Sequence, residues 1–234
     1  MHNYQIVSRR QTSFLDRSDA ARRLAQELKT YAESKPVVFG IPRGGVLIAA
    51  EIARELKGDL DIVLTHKIGY PGQSEAAVAS VTESGKVFTE SFRPLTAEDR
   101  DYLSSEKKRQ LELLSGRAAT YREVLPKVPL DGRVAIVTDD GAATGLTLRA
   151  ALWAARQENP KTLIAAIPVA PSETVEMLAE HADFTLCFLA PPLFFSVHQF
   201  YLHFDQLEDE DVLKILKEKD KKTPLTGPVL KRTR

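Results

Sequence analysis

The sequence predicts an α/β fold, a parallel sheet flanked by helices, with a hairpin-plus-long-helix insertion. Three observations carry this expectation. Short β-branched apolar runs alternate with stretches whose apolar residues recur at helical spacing. Two strand-to-helix turns, at 40–45 and 141–145, are rich in glycine and other small residues. Residues 69–126, standing between these two βα units, follow a different pattern and are too many for a simple connection.

The elements follow in order. Ser18 stands as an N-cap before residues 19–31, where Ala21, Leu24, Ala25, Leu28 and Tyr31 recur on one helical face. Residues 37–40 form a short strand broken by Ile41, Pro42, Arg43, Gly44 and Gly45, and residues 46–56 read as a helix. Residues 61–68 are rich in β-branched side chains and form a second strand, completing a βαβ unit of the kind that builds parallel sheets. In the insertion, Pro71 and Gly72 signal a turn, and residues 77–82 and 86–92 flank Glu83, Ser84 and Gly85 as the arms of a hairpin. Thr96 and Asp99 form a capping box. Leu103, Leu111, Leu114, Ala118, Tyr121 and Leu125 then mark one face of a long charged helix ended by Pro126. Alternation resumes with strand 133–139, helix 146–157, strand 162–169, helix 172–181 and strand 183–189. An aromatic-rich segment, 194–205, and an acidic start at 208–211 lead into a last helix at 212–216. Residues 217–234 carry seven basic and two acidic side chains with two prolines, the composition of a disordered tail. The expected organisation is one domain over 1–216, with 69–126 as a lid insertion, followed by that basic tail.

Composition narrows the function classes. The 234 residues include 32 basic and 32 acidic side chains, 43% hydrophobic and 27% charged residues, which excludes collagenous and low-complexity chains. No apolar run approaches the ~20 residues that cross a bilayer. Residues 1–10 are polar and lack the apolar core of a secretory signal. The single cysteine, Cys187, has no partner for a disulfide or a zinc site. These features point to a cytoplasmic protein without a membrane partner. The zero net charge sums a tail of +5 and a body of −5, so the body is no broad nucleic-acid binder and only the tail offers that contact.

The strongest chemical signal runs from Ala135 to Thr147. An apolar strand ends in Asp139 and Asp140, followed by a small-residue loop that opens a helix. Converging backbone N–H groups and a helix N-terminus make an anion cradle, to which Thr144 and Thr147 add hydroxyl donors. Two carboxylates are poor neighbours for phosphate itself but suit sugar hydroxyls or a metal ion at the ligand's other end. A sugar phosphate satisfies both halves.

This segment resembles the phosphoribosyl-diphosphate (PRPP) signature of type I phosphoribosyltransferases: an apolar strand, two acids, small residues, then Thr-Gly-x-Thr. Gly40 to Gly45 (Gly-Ile-Pro-Arg-Gly-Gly) resembles that family's pyrophosphate loop, and Lys67 sits where related enzymes place a basic pyrophosphate contact. The resemblance covers about residues 37–169, and the motifs look most like the bacterial subgroup named predicted phosphoribosyltransferases. It implies that Asp139 and Asp140 bond the ribose 2′- and 3′-hydroxyls and orient Mg²⁺ through water. It places the 5′-phosphate on Ala143, Thr144, Gly145, Leu146 and Thr147, and pyrophosphate on Arg43, Gly44, Gly45 and Lys67. Asp139, Asp140, Arg43 and Lys67 are then the catalytic set, the hairpin of residues 74–92 the lid, PRPP and a nitrogenous base the substrates, and Mg²⁺ the cofactor. A homodimer is compatible with it.

The sequence also departs from that pattern. Gly141 replaces a usual apolar residue, Leu146 replaces a common glycine, and Ala143 replaces the aspartate that 6-oxopurine enzymes use near the purine. A hypoxanthine or guanine acceptor is therefore disfavoured. Glu75, at the hairpin root, is a candidate base whose bland reading is a solvated carboxylate. Phe195 and Tyr201 are candidate platforms for stacking an acceptor. His198 and His203 lack metal-ligand spacing, and neither a P-loop lysine motif nor GxGxxG is present. Two other functions stay open: a non-catalytic PRPP sensor that contacts nucleic acid through its tail, and a phosphatase or phosphorolytic enzyme using the same cradle.

Overall fold

The computed structural model of the chain describes residues 3–70, 73–89 and 97–218. Along it run β1 (Tyr4–Ser8), α1 (Arg17–Glu27), β2 (Val37–Gly40), α2 (Gly44–Leu56), β3 (Asp59–Ile62), β4 (Thr65–Tyr70), β5 (Gln73–Thr82), β6 (Val87–Thr89) and α3 (Ala97–Val124). There follow β7 (Val134–Thr138), α4 (Leu146–Arg156), β8 (Thr162–Val169), α5 (Ser172–Ala179), β9 (Phe184–Leu189) and α6 (Asp209–Lys217). Six strands form a parallel sheet in the order β1-β9-β8-β7-β2-β3, and β4-β5-β6 form a separate antiparallel sheet.

The parallel sheet is buried on both faces, which is why its strands are apolar at nearly every position. Val38, Ile136, Ile164 and Leu186 pack with Leu24 of α1 and Ile48 and Ile52 of α2. Their neighbours in sequence, Phe39, Val137, Ala165 and Cys187, turn the other way onto Leu148 and Leu152 of α4 and Val175 of α5. Fold class and the alternation of strands and helices agree with the sequence expectation.

Three local expectations change. The N-cap of α1 is Asp16, whose carboxylate accepts the Asp19 N–H at 2.7 Å, so Arg17 rather than Asp19 opens the helix. That helix stops at Glu27 and is followed by a 3₁₀ turn over Lys29–Ser34, which closes on Lys35 in the left-handed conformation just before Pro36. The strand expected at 61–68 is two strands. Ile62 pairs with Gly40, the last residue of β2, so the chain beyond it finds no partner at that sheet edge; Thr65–Tyr70 pairs with β5 instead. β1 carried no sequence signal. It is an edge strand with only partial burial, paired to β9 through Ile6 and Cys187.

The insertion is therefore a three-stranded sheet plus α3. Ile68, Ala79 and Val81 join Leu103, Leu114, Ala118 and Tyr121 of α3 in the core, as the helical spacing predicted. On the other side Phe88 meets Trp153 of α4 with ring centroids 5.7 Å apart, and Arg149 donates to the Thr89 carbonyl at 3.0 Å. α6 buries Val212, Ile215 and Leu216, and Asp209 at its first turn accepts the Tyr121 hydroxyl at 2.9 Å. Thr96, the outer end of the second hairpin arm (90–92) and the tail from 219 lie outside the described residues.

Candidate active site

The chain leaves β2 toward β3 but leaves β7 in the opposite direction, toward β8. In open α/β sheets such a reversal opens a crevice at the carboxyl ends of the two strands, where ligands bind. The 41–45 and 139–145 loops emerge there side by side: Gly40 pairs with Thr138, and the Ile41 N–H donates to the Thr138 carbonyl at 3.2 Å. The two motifs, almost a hundred positions apart in sequence, thus share one crevice.

Asp139 and Asp140 are half-buried at its floor. The Asp139 carboxylate accepts the Asp140 N–H at 2.9 Å. Asp140 is held from three sides. Arg17 donates to its Oδ2 through Nε at 3.0 Å and Nη2 at 2.9 Å. Tyr201 donates its hydroxyl to the Asp140 carbonyl at 2.6 Å. Gly44 lies so close that an added Cβ would stand 2.7 Å from Asp140 Cγ. Burial, with the Asp140 charge beside it, pushes the Tyr201 hydroxyl well above the usual tyrosine range, so it remains a donor. Sequence reasoning missed Arg17, whose partner is 123 positions away. One local signal was available: a cation in the first turn of a helix opposes the helix dipole and needs a partner elsewhere.

Gly45 also packs tightly, since a Cβ there would lie 2.9 Å from Asp139 Cα. Its N–H donates to Ile41 O at 3.0 Å, so that amide is engaged inside the turn. The two glycines bring the N-terminus of α2 against the acid pair. The Pro42–Arg43 peptide is cis, and Arg43 pairs with Glu208, the N-cap of α6. Lys67 stands opposite Ser80 in the small sheet, not at an end of the parallel one; its side chain, like that of Glu75, lies outside the described atoms.

The loop after the acids is built from small residues for visible reasons. Gly145, the N-cap of α4, has φ 75°, and a Cβ there would meet Met177 Cε at 2.6 Å. Thr174 donates to the Ala143 carbonyl at 2.7 Å and fixes the loop from α5. Ala143 and Thr144 are exposed at its tip. The Thr147 hydroxyl, in the first turn of α4, is buried and has no hydrogen-bond partner among the described residues. The backbone N–H groups of this first turn are the ones a helix N-terminus offers to an anion.

Residues 190–205 form a hood beside the loop. Val197 lies over Gly141, where a Cβ would approach it to 2.6 Å. Tyr201 is buried and engaged with Asp140, so it offers no stacking face, whereas Phe195 is 85% exposed. A cavity of about 440 Å³ lined by Phe39, Val63, Thr82, Trp153 and Glu158 includes none of the expected site residues in its walls. Among the described residues no helix is long and apolar enough to cross a membrane, and no group of three carboxylate, histidine or cysteine side chains could hold a metal ion. Two adjacent carboxylates do suit Mg²⁺, which keeps several waters and takes its remaining oxygens from substrate phosphates.

The fold is thus an open parallel α/β sheet whose switch point brings an acid pair beside a loop of small residues. Consistent with this, the Phosphoribosyl transferase domain model matches residues 11–204, and the chain belongs to that family. The protein TT1426 of Thermus thermophilus, known from a crystal structure, is 42% identical with a TM-score of 0.74, covering 88% of this chain and 99% of that one. Two Mycobacterium tuberculosis proteins with provisional phosphoribosyl transferase names, Rv0571c and MT0597, are 38% identical over 204 residues. The match covers 87% of this chain and 46% of theirs, so the chain spans about half the length of these curated relatives.

Proposed function

We propose that the chain is a phosphoribosyltransferase that takes ribose 5-phosphate from PRPP to a nitrogenous acceptor, releases pyrophosphate and uses Mg²⁺. The observation that carries the reading is the convergence at one crevice of the acid pair, the small-residue loop that opens α4 and the Arg43 loop. Family membership supports it.

In this reading Asp139 and Asp140 accept hydrogen bonds from the ribose 2′- and 3′-hydroxyls. The backbone of 143–147 and the Thr144 and Thr147 hydroxyls hold the 5′-phosphate. Arg43, Gly44 and Lys67 face the pyrophosphate. As the bond to pyrophosphate breaks, negative charge gathers on the leaving group, and a fixed cation there favours the transition state over the ground state. Asp139 and Asp140 would hold Mg²⁺ through water, and the ion would supply further positive charge beside the phosphates. The small sheet and its hairpin act as a lid that excludes water. Domain limits of 1–216, a cytoplasmic location and small-molecule partners belong to the same reading.

Changing Asp139 and Asp140 together to Asn is expected to weaken Mg²⁺–PRPP binding at least about tenfold by calorimetry. Unchanged affinity would reject the site. PRPP consumption against a panel of nucleobases then separates a transferase from a PRPP sensor, which binds without turnover.

A further inference from the structure

We infer that Arg17 is a positioning residue for the sugar: it pins Asp140 by one carboxylate oxygen and so presents the other to a ribose hydroxyl. This rests on the site reading above, and concerns how one of its acids is aimed.

The geometry argues for it in three steps. First, the guanidinium cannot swing. Nε and Nη2 both donate to Asp140 Oδ2, Nη1 donates to the Asp205 carbonyl at 2.8 Å, and the guanidinium carbon stands 3.8 Å over the Phe204 ring. The side chain is only 9% exposed. A fork fixed by a carbonyl, a ring and a carboxylate leaves little freedom at either partner. Second, both donors use the same oxygen. A carboxylate has acceptor sites on each oxygen, and no described residue bonds Oδ1 of Asp140. Third, two carboxylates on adjacent residues repel, and Arg17 is a standing counter-charge for one of them. The acid pair is then held in place before a ligand or cation arrives.

Positioning improves recognition when a group is held within about 0.5 Å of its working place, which rotamer freedom alone does not provide. A lysine at this site keeps the charge but cannot reproduce the fork. A purely structural clamp between α1 and the hood makes a different prediction, because it would affect every ligand of the crevice alike.

Calorimetry without metal distinguishes these. Ribose 5-phosphate and inorganic phosphate are titrated into the wild type, Arg17→Met, Arg17→Lys, Asp140→Asn and the Arg17→Met/Asp140→Asn pair. Arg17→Met is expected to weaken ribose 5-phosphate at least about tenfold and inorganic phosphate less than about twofold, with no further loss once Asp140 is Asn. Arg17→Lys recovers only part of the loss. Equal losses of both ligands, additive losses in the pair, or wild-type affinity in Arg17→Lys overturn the inference. Should Arg17→Met lack cooperative unfolding, the lysine variant decides alone. A wild type that binds phosphate but not ribose 5-phosphate overturns the site reading itself, and the inference with it.

Discussion

A methyl group at Gly44 would stand 2.0 Å from Oδ2 of Asp140, the oxygen that Arg17 holds. The start of α2 and the end of β7 are therefore fitted with no room for a side chain between them. Gly44→Ala is expected to cost about 1–3 kcal/mol through overpacking. Denaturant unfolding measures the cost, and a parallel loss of ribose 5-phosphate affinity shows that Asp140 has been displaced; an unchanged midpoint would refute the fit.

In the proposed function Arg43 serves one part of the substrate, the pyrophosphate. Its replacement by Ala is expected to weaken pyrophosphate binding more than ribose 5-phosphate binding, and equal losses would count against the assignment. Glu208 competes for the same guanidinium. The pair is exposed enough to contribute little to stability, so Glu208→Gln should leave the unfolding midpoint in place and tighten pyrophosphate binding at low salt.

Tyr201→Phe removes the donor to the Asp140 carbonyl. A buried acceptor left unmet costs about 1–3 kcal/mol. Equilibrium unfolding should register that loss; a neutral result would mean that water replaces the hydroxyl.

The pH dependence of stability has a definite sign at each end. Burial pushes the Cys187 thiol up to about 12 from an ordinary value of 9.0, and Tyr201 rises well above its ordinary 10.0. Both fold best as neutral groups, so their contribution is complete below pH 9.0 and is lost as pH rises toward the folded values. Burial, aided by the Arg149 charge, lowers His181 from 6.5, so its contribution is complete above that value and declines in more acid solution. Unfolding titrations from about pH 5 to about pH 11 should give a plateau between these limits. In the folded protein at about pH 8, Cys187 should resist alkylation, as read by mass spectrometry, because the thiolate is the reactive form.

Sequence reached the fold class because strand and helix periodicity and glycine turns are local signals; that the two loops serve one ligand came only from the family resemblance. It did not reach Arg17, because with the helix read from Asp19 the cation fell outside the first turn and its unfavourable place there went unnoticed. The break between Ile62 and Thr65 escaped it for a related reason. Both halves contain β-branched residues, and only the end of β2 at Gly40 decides where pairing stops. Gly45 was legible as a glycine that must be there, yet its engaged amide depends on the path of the turn. Lone periodicity served α3 well because one apolar face met one core.

The pairing of β1 with β9 joins Ile6 to Cys187, and Tyr201 and Asp205 then reach back to Asp140 and Arg17. During synthesis β8 must wait with an open edge until β9 has been made, and β1 has no strand to add to before then. Contacts of such long range form slowly and leave strand edges exposed to other chains in the meantime. The surroundings of Asp140 are thus among the last parts of the molecule to be finished, and a nascent chain stopped short of the hood would carry Asp140 and Arg17 without the Asp205 carbonyl and the Phe204 ring that hold the guanidinium.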